Sequence, residues 1–128
     1  MKAAFTSDVV LGMLDGERDC VKLLNRVADG SVEGWIPYDC VSSVYATLLS
    51  VRSREEARRS IGEIVFLFKT LALPDREEYL MSFNTRYDVR DAVLAESMRK
   101  ADVRTVVTMD PKRFTGMGVE AVTPGRFG

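Results

Sequence analysis

Residues 88–114 read DVRDAVLAESMRKADVRTVVTMDPKRF, and this stretch decides the fold. Asp88 and Asp91 are one helical step apart, so their carboxylates share a face. Ala92, Val93, Ala95 and Met98 follow at helical spacing, with Glu96, Arg99 and Lys100 on the other side. Thr105-Val106-Val107-Thr108 is β-branched throughout and predicts a short buried strand. Asp110 lies just past the end of that strand, where Pro111 ends any regular ladder. Ligands of open α/β sheets bind beyond the carboxyl ends of the strands. One helix start and one strand end are therefore expected to bring several acids to one rim.

The rest of the chain supports a helix–strand alternation. Lys2–Phe5 predicts a short strand, and Thr6-Ser7-Asp8 a helix start with a capping hydroxyl and an early acid. A short helix runs to Leu14 and stops at Asp15-Gly16. Residues 17–29 place Cys20, Leu23, Leu24 and Val27 on one stripe, with Gly30 as the stop. Residues 32–36 read as a strand closed by Pro37, and Tyr38–Ser50 as a third helix. Ser53-Arg54-Glu55-Glu56 opens a fourth, whose apolar face includes Ile61, Ile64, Val65 and Phe68. Phe66 and Leu67 widen that face beyond what one core requires. Leu71–Leu73 predicts a strand, 75–83 a fifth helix and 119–122 a last strand, before a tail of low propensity. This order implies one α/β domain, residues 1–128, with a short, mainly parallel central sheet between helices.

Composition narrows the chemistry. The chain has 128 residues, 46% hydrophobic and 29% charged, with a net charge of −1. No global positive field attracts nucleic acid, so any RNA contact needs a local basic patch. There is no histidine, which excludes Ser-His-Asp and Cys-His catalysis and His-ligated zinc. Cys20 and Cys40 form no CxxC pair and read as buried, reduced thiols of a cytoplasmic protein. No apolar run is long enough to span a membrane, and the N-terminus is a poor signal peptide.

Three segments carry a resemblance: YDVRDAVLAESMRKADVRTVVTMDPKRF, the closing GVEAVTPGRF and the opening MKAAFTSDVVLGML. In this order, and across nearly the whole chain, they resemble the PIN-domain family, the nuclease fold of VapC toxins from toxin–antitoxin pairs. The resemblance implies a PIN-like α/β/α sandwich and metal-dependent cleavage of RNA, with four acidic positions gathering Mg²⁺ or Mn²⁺. It places the third on Asp91 and the fourth on Asp110. The first falls on Thr6 and the second on Ser43, where an aspartate and a glutamate would be expected. Asp8 takes the place of the family's usual asparagine.

Two hydroxyls cannot neutralise a dication as two carboxylates do, and Mg²⁺ favours several oxygen ligands in octahedral geometry. The candidate catalytic residues are Asp91, Asp110 and Asp8, and the candidate metal ligands are these three with Asp88. Each acid also has a purely local reading, as a helix-start or turn residue. Arg86, Arg90, Lys112 and Arg113 are the candidate RNA phosphate contacts. Arg52, Arg54, Arg58 and Arg59 read instead as a solvated face paired with Glu55, Glu56 and Glu63, and Trp35 reads as core. One reading is a metal-dependent ribonuclease with reduced or altered Mg²⁺ or Mn²⁺ use. The other is an inactive PIN-like module that binds RNA or an antitoxin-like protein and needs no cofactor. A third, a receiver-like domain, would need an acid pair after the first strand, and Thr6-Ser7-Asp8 offers one acid. Family habit and the wide stripe at 61–68 both point to a homodimer.

Overall fold

The computed structural model describes residues 1–84 and 88–127. Among the described residues five strands, β1 (Lys2–Phe5), β2 (Glu33–Ile36), β3 (Lys69–Thr70), β4 (Thr105–Val107) and β5 (Glu120–Val122), are interleaved with six helices. The helices are α1 (Ser7–Leu14), α2 (Arg18–Ala28), α3 (Cys40–Leu49), α4 (Arg54–Leu67), α5 (Arg76–Met81) and α6 (Val89–Lys100). The sheet is all-parallel, in the order β3-β2-β1-β4-β5. The chain builds outward from β1 on one side, then returns to build on the other. Neighbouring loops therefore diverge at the carboxyl end of β1 and leave a crevice there.

Side-chain alternation along the strands makes two cores. Ala3, Phe5 and Val107 face one side, where they pack with Val9, Val10, Leu23, Val44 and Ile64 from α1–α4. Ala4 and Val106 face the other side, against Leu94, Ala95 and Met98 of α6 with Leu71, Val103 and Phe114. A residue shift of one position would exchange these faces, which is why such short strands hold their register. The result is the expected α/β/α sandwich.

Local chemistry explains the helix ends. Glu17 accepts the Cys20 amide at 2.9 Å, and Ser53 Oγ accepts the Glu56 amide at 3.2 Å, each capping its helix. The Cys20 thiol, and after it the Cys20 amide, hold the Glu17 carboxyl below its usual range. Gly16 and Gly30 sit at φ +81° and +85°, where α1 and α2 stop as expected. Both cysteines are buried and free, as expected of reduced thiols.

Two readings of the sequence need correction. The third strand is not Leu71–Leu73 but Lys69–Thr70, paired with Trp35 and Ile36. Pro37 ends β2, so the ladder has no partner beyond the Leu71 amide, which reaches the Ile36 carbonyl at 2.8 Å. Leu71 is buried in the α6-side core instead. The closing tail is also more ordered than its propensity predicts. Residues Pro124–Arg126 form a 3₁₀ turn, and Phe127 packs edge-on to Phe5, ring centroids 6.4 Å apart. The Arg26 guanidinium lies 5.3 Å from the Phe127 ring.

The other helices stand with small shifts in their ends, but α1 starts after Thr6 without a side-chain cap. The fifth helix is Arg76–Met81, continued by a 3₁₀ turn at Ser82–Asn84. Trp35 is half-buried, bonded through Nε1 to Glu33 at 3.2 Å and flanked by Lys69, 5.5 Å from the ring. In the 52–59 group, Arg59 pairs with Glu55 at 3.5 Å, whereas Arg52 turns inward to the Leu14 carbonyl and Ser60. Among the described residues no helix is long and apolar enough to cross a membrane.

Candidate functional site

A cavity of about 230 Å³ opens at the carboxyl end of β1. The starts of α1, α3 and α6 border it: Thr6, Ser7 and Asp8, then Tyr38, Asp39 and Ser43, then Val89, Arg90 and Asp91. Tyr79 of α5 and Arg113, from the 3₁₀ turn Pro111–Phe114 after β4, close its sides. α1 and α3 start at this crevice because each follows a parallel strand that ends there, whereas α6 reaches it only after α5, well beyond the end of β3.

Thr6 follows β1 as the N-cap of α1, and its amide donates to the Val107 carbonyl at 3.1 Å, tying the first loop to β4. The Thr6 hydroxyl donates to Asp8 Oδ1, and the same oxygen accepts the Val9 amide at 2.8 Å. Asp8 thus serves the first turn of α1 while lining the cavity. Ser43 is exposed on α3 and lines the opposite wall. Both family positions read as lacking an acid therefore do border the cavity.

Asp91 is buried, at 3% exposure, on the first turn of α6. Both of its oxygens are engaged. Arg113 Nε donates to Oδ2 at 3.0 Å, and a terminal nitrogen of the same guanidinium donates to Oδ1. This is the two-bond fork that arginine makes with a carboxylate. The bond to Asp91 raises the Arg113 guanidinium above its already high value, so Arg113 is charged at all working pH. Phe114, buried next to Arg113, anchors the turn, and its ring lies 5.9 Å from the guanidinium carbon.

The four candidate metal ligands do not all meet. Asp8 and Asp91 line the cavity; Asp88 and Asp110 lie outside its lining. Asp88 is the N-cap of α6, accepting the Arg90 amide at 2.8 Å. Asp110 is exposed and starts the 3₁₀ turn, its amide bonded to Thr108 Oγ1 at 3.2 Å. Among the described residues no group of three or more Asp, Glu, His or Cys side chains is placed to hold a metal ion. With Asp91 bonded on both oxygens and Asp8 engaged by Thr6 and Val9, the donor set present does not fit Mg²⁺ or Mn²⁺.

Of the candidate phosphate contacts, Arg90 is exposed and lines the cavity, and Lys112 is exposed on the turn. Arg113 is turned onto Asp91 rather than outward, and Arg86 lies outside the described residues. Tyr38, Asp39 and Tyr79 also line the cavity but were not singled out in the sequence. The cue for Asp39 is its place just before α3, after the proline that ends β2. Tyr79 has no local cue, since only the packing of α5 brings it there.

No protein-family model matches the chain, and no curated protein matches it. Solved structures do. The chain superposes on a structure of VapBC2 from Rickettsia felis, bound to a DNA fragment from the promoter, with TM-score 0.72 and 11% identity, covering 96% of this chain and 98% of that one. VapBC-1 from nontypeable Haemophilus influenzae gives 0.71 at 9% identity, covering 98% and 100%. A toxin–antitoxin complex from Klebsiella pneumoniae gives 0.69 at 16% identity, covering 95% and 97%. The chain thus has a VapC-like PIN fold, the α/β/α sandwich of these proteins, and the likeness is one of fold.

Proposed function

We propose that this chain is the toxin-like member of a toxin–antitoxin pair whose cavity binds rather than cuts. In this reading metal-dependent RNA cleavage is weak or lost, and an antitoxin-like protein is the partner. The carrying observation is the shortage of free carboxylates at the cavity: Thr6 and Ser43 border it, and both Asp91 oxygens are bonded to Arg113. Metal-assisted phosphodiester hydrolysis needs a cation held by several oxygens to activate water and to neutralise the phosphate. The chain has no histidine to take over proton transfer. The whole-chain match to VapBC-type and toxin–antitoxin complexes supports a protein partner. Two buried free thiols fit a reducing cytoplasm.

RNA binding without cleavage is the companion reading, supported by exposed Arg90 at the cavity wall and exposed Lys112 on the adjoining turn. Phosphate contacts of this kind position RNA without reading its sequence.

Incubation with labelled single-stranded RNA and Mg²⁺ or Mn²⁺ tests both. Wild type is expected to cut no faster than Asp91→Asn. Metal-dependent cleavage well above that variant would restore the ribonuclease reading. Thr6→Asp with Ser43→Glu returns the two missing acids, and a gain of metal binding by that variant would support the placement of the site.

A further inference from the structure

We infer that Arg113 is the resident cation of this cavity, its guanidinium holding the Asp91 carboxylate where a divalent ion would otherwise bind. The inference rests on the reading of the cavity as a site short of free carboxylates, and it names the group that replaces the metal. Three observations carry it.

First, the fork is two-toothed. Nε and a terminal nitrogen of Arg113 each take one lone pair on the two oxygens of Asp91, so an ion cannot chelate the carboxylate through both oxygens from that side. Second, Asp91 is the most buried acid at the cavity, with its side chain 5% exposed, while that of Arg113 is 41% exposed. A buried carboxylate needs a counter-charge, and this one has it from within the chain. Third, the turn that delivers Arg113 is fixed at both ends. β4 precedes it, and Phe114, 1% exposed, is buried directly after it. Arginine stays protonated across the working range, so this cation does not dissociate with pH or dilution.

A divalent ion approaching Asp91 would stand beside a fixed positive charge and would have to compete with it for the two oxygens. The remaining cavity acids, Asp8 and Asp39, share the lining with Arg90. The wild-type chain is therefore closed to Mg²⁺ and Mn²⁺ at Asp91, and loss of the Arg113 charge opens it.

The test is thermal unfolding of wild type, Arg113→Gln and the double variant Arg113→Gln/Asp91→Asn, each titrated with Mn²⁺ to millimolar concentration. Wild type is expected to show no rise in midpoint. Arg113→Gln should unfold at a lower temperature without metal and gain a saturating rise of several degrees with it. The double variant should lose that rise. A rise in wild type, no rise in Arg113→Gln, or a rise that survives in the double variant overturns the inference. Should Arg113→Gln fail to fold, the Arg113 Nε–H resonance of wild type decides. A signal unmoved by millimolar Mg²⁺ supports the inference, and one that shifts or disappears overturns it. A wild type that binds metal but cuts no RNA would defeat this inference and leave the proposed function standing. Metal-dependent RNA cleavage by wild type would defeat the proposed function.

Discussion

Arg113 and Asp91, 22 residues apart in sequence, form a closed fork between the turn after β4 and the first turn of α6. The contact ties together two segments that also meet through the α6-side core. Removing Arg113 leaves Asp91 buried without its counter-charge. Because the guanidinium is partly open to water, we expect Arg113→Gln to cost about 2 kcal/mol, below the range for fully buried pairs. The double variant Arg113→Gln/Asp91→Asn should recover most of that loss. Urea unfolding of the four-member cycle checks it, and additive losses would argue against coupling.

Gly34 and Gly62 should respond oppositely to alanine. A Cβ on Gly34 in β2 would lie 2.7 Å from the Phe68 ring and 3.1 Å from Val27 Cγ1. Gly34→Ala should therefore destabilise by about 2 kcal/mol through overpacking. Gly62 lies inside α4, and its Cβ would meet nothing within 4 Å. Gly62→Ala should stabilise by about 0.5–1 kcal/mol, from helix propensity and reduced freedom of the unfolded chain. Chemical denaturation of both variants reads the two signs directly.

Burial pushes the Cys40 thiol from its ordinary 9.0 up to about 11, and the Cys20 thiol up to about 12. A raised pKa means that the folded form holds the proton more tightly than the unfolded form. That contribution is complete below the unfolded value and is lost as pH rises through the folded one. Urea midpoints of wild type should fall more steeply than those of Cys40→Ala between about pH 9 and 11. Neither thiol should react with an aromatic disulfide reagent at neutral pH until the protein unfolds. Prompt labelling of either would contradict the packing.

Phe127 contributes to the core although it lies in the closing tail. Phe127→Ala removes its edge contact with Phe5 and the Arg26 guanidinium over its ring. A loss of about 1–2 kcal/mol is expected. Arg26→Ala in the Phe127→Ala background should add little more, and a full second loss would show that Arg26 acts elsewhere.

Phe66 is 88% exposed and Val65 56% exposed on α4, next to Val41, Tyr45 and Ile61 along a groove between α3 and α4. We expect wild type to sediment as a dimer at micromolar concentration and Phe66→Asp as a monomer with unchanged helix content. A monomeric wild type would remove this expectation.

Several elements were legible in the residues alone because their causes are local. The β-branched run Thr105–Val107 and the helical spacing of Cys20, Leu23 and Val27 state what each segment buries. Ser53 and Gly30 mark helix ends through bonds and dihedrals within a few residues. Contacts across the fold were not legible. β3 sits two residues earlier than expected because its partner strand ends at Ile36, and Phe127 is held by Phe5 and Arg26 from distant segments. At the cavity, the resemblance marked Thr6 and Ser43, and the acids marked included Asp8 and Asp91, all four of which line it, whereas Asp88 and Asp110 do not. Only the tertiary structure decided that the turn after β4 presents Arg113, not Asp110, to that cavity. Which side chain a short turn aims inward depends on its dihedrals and on the burial of Phe114, and neither is written in the spacing of charges.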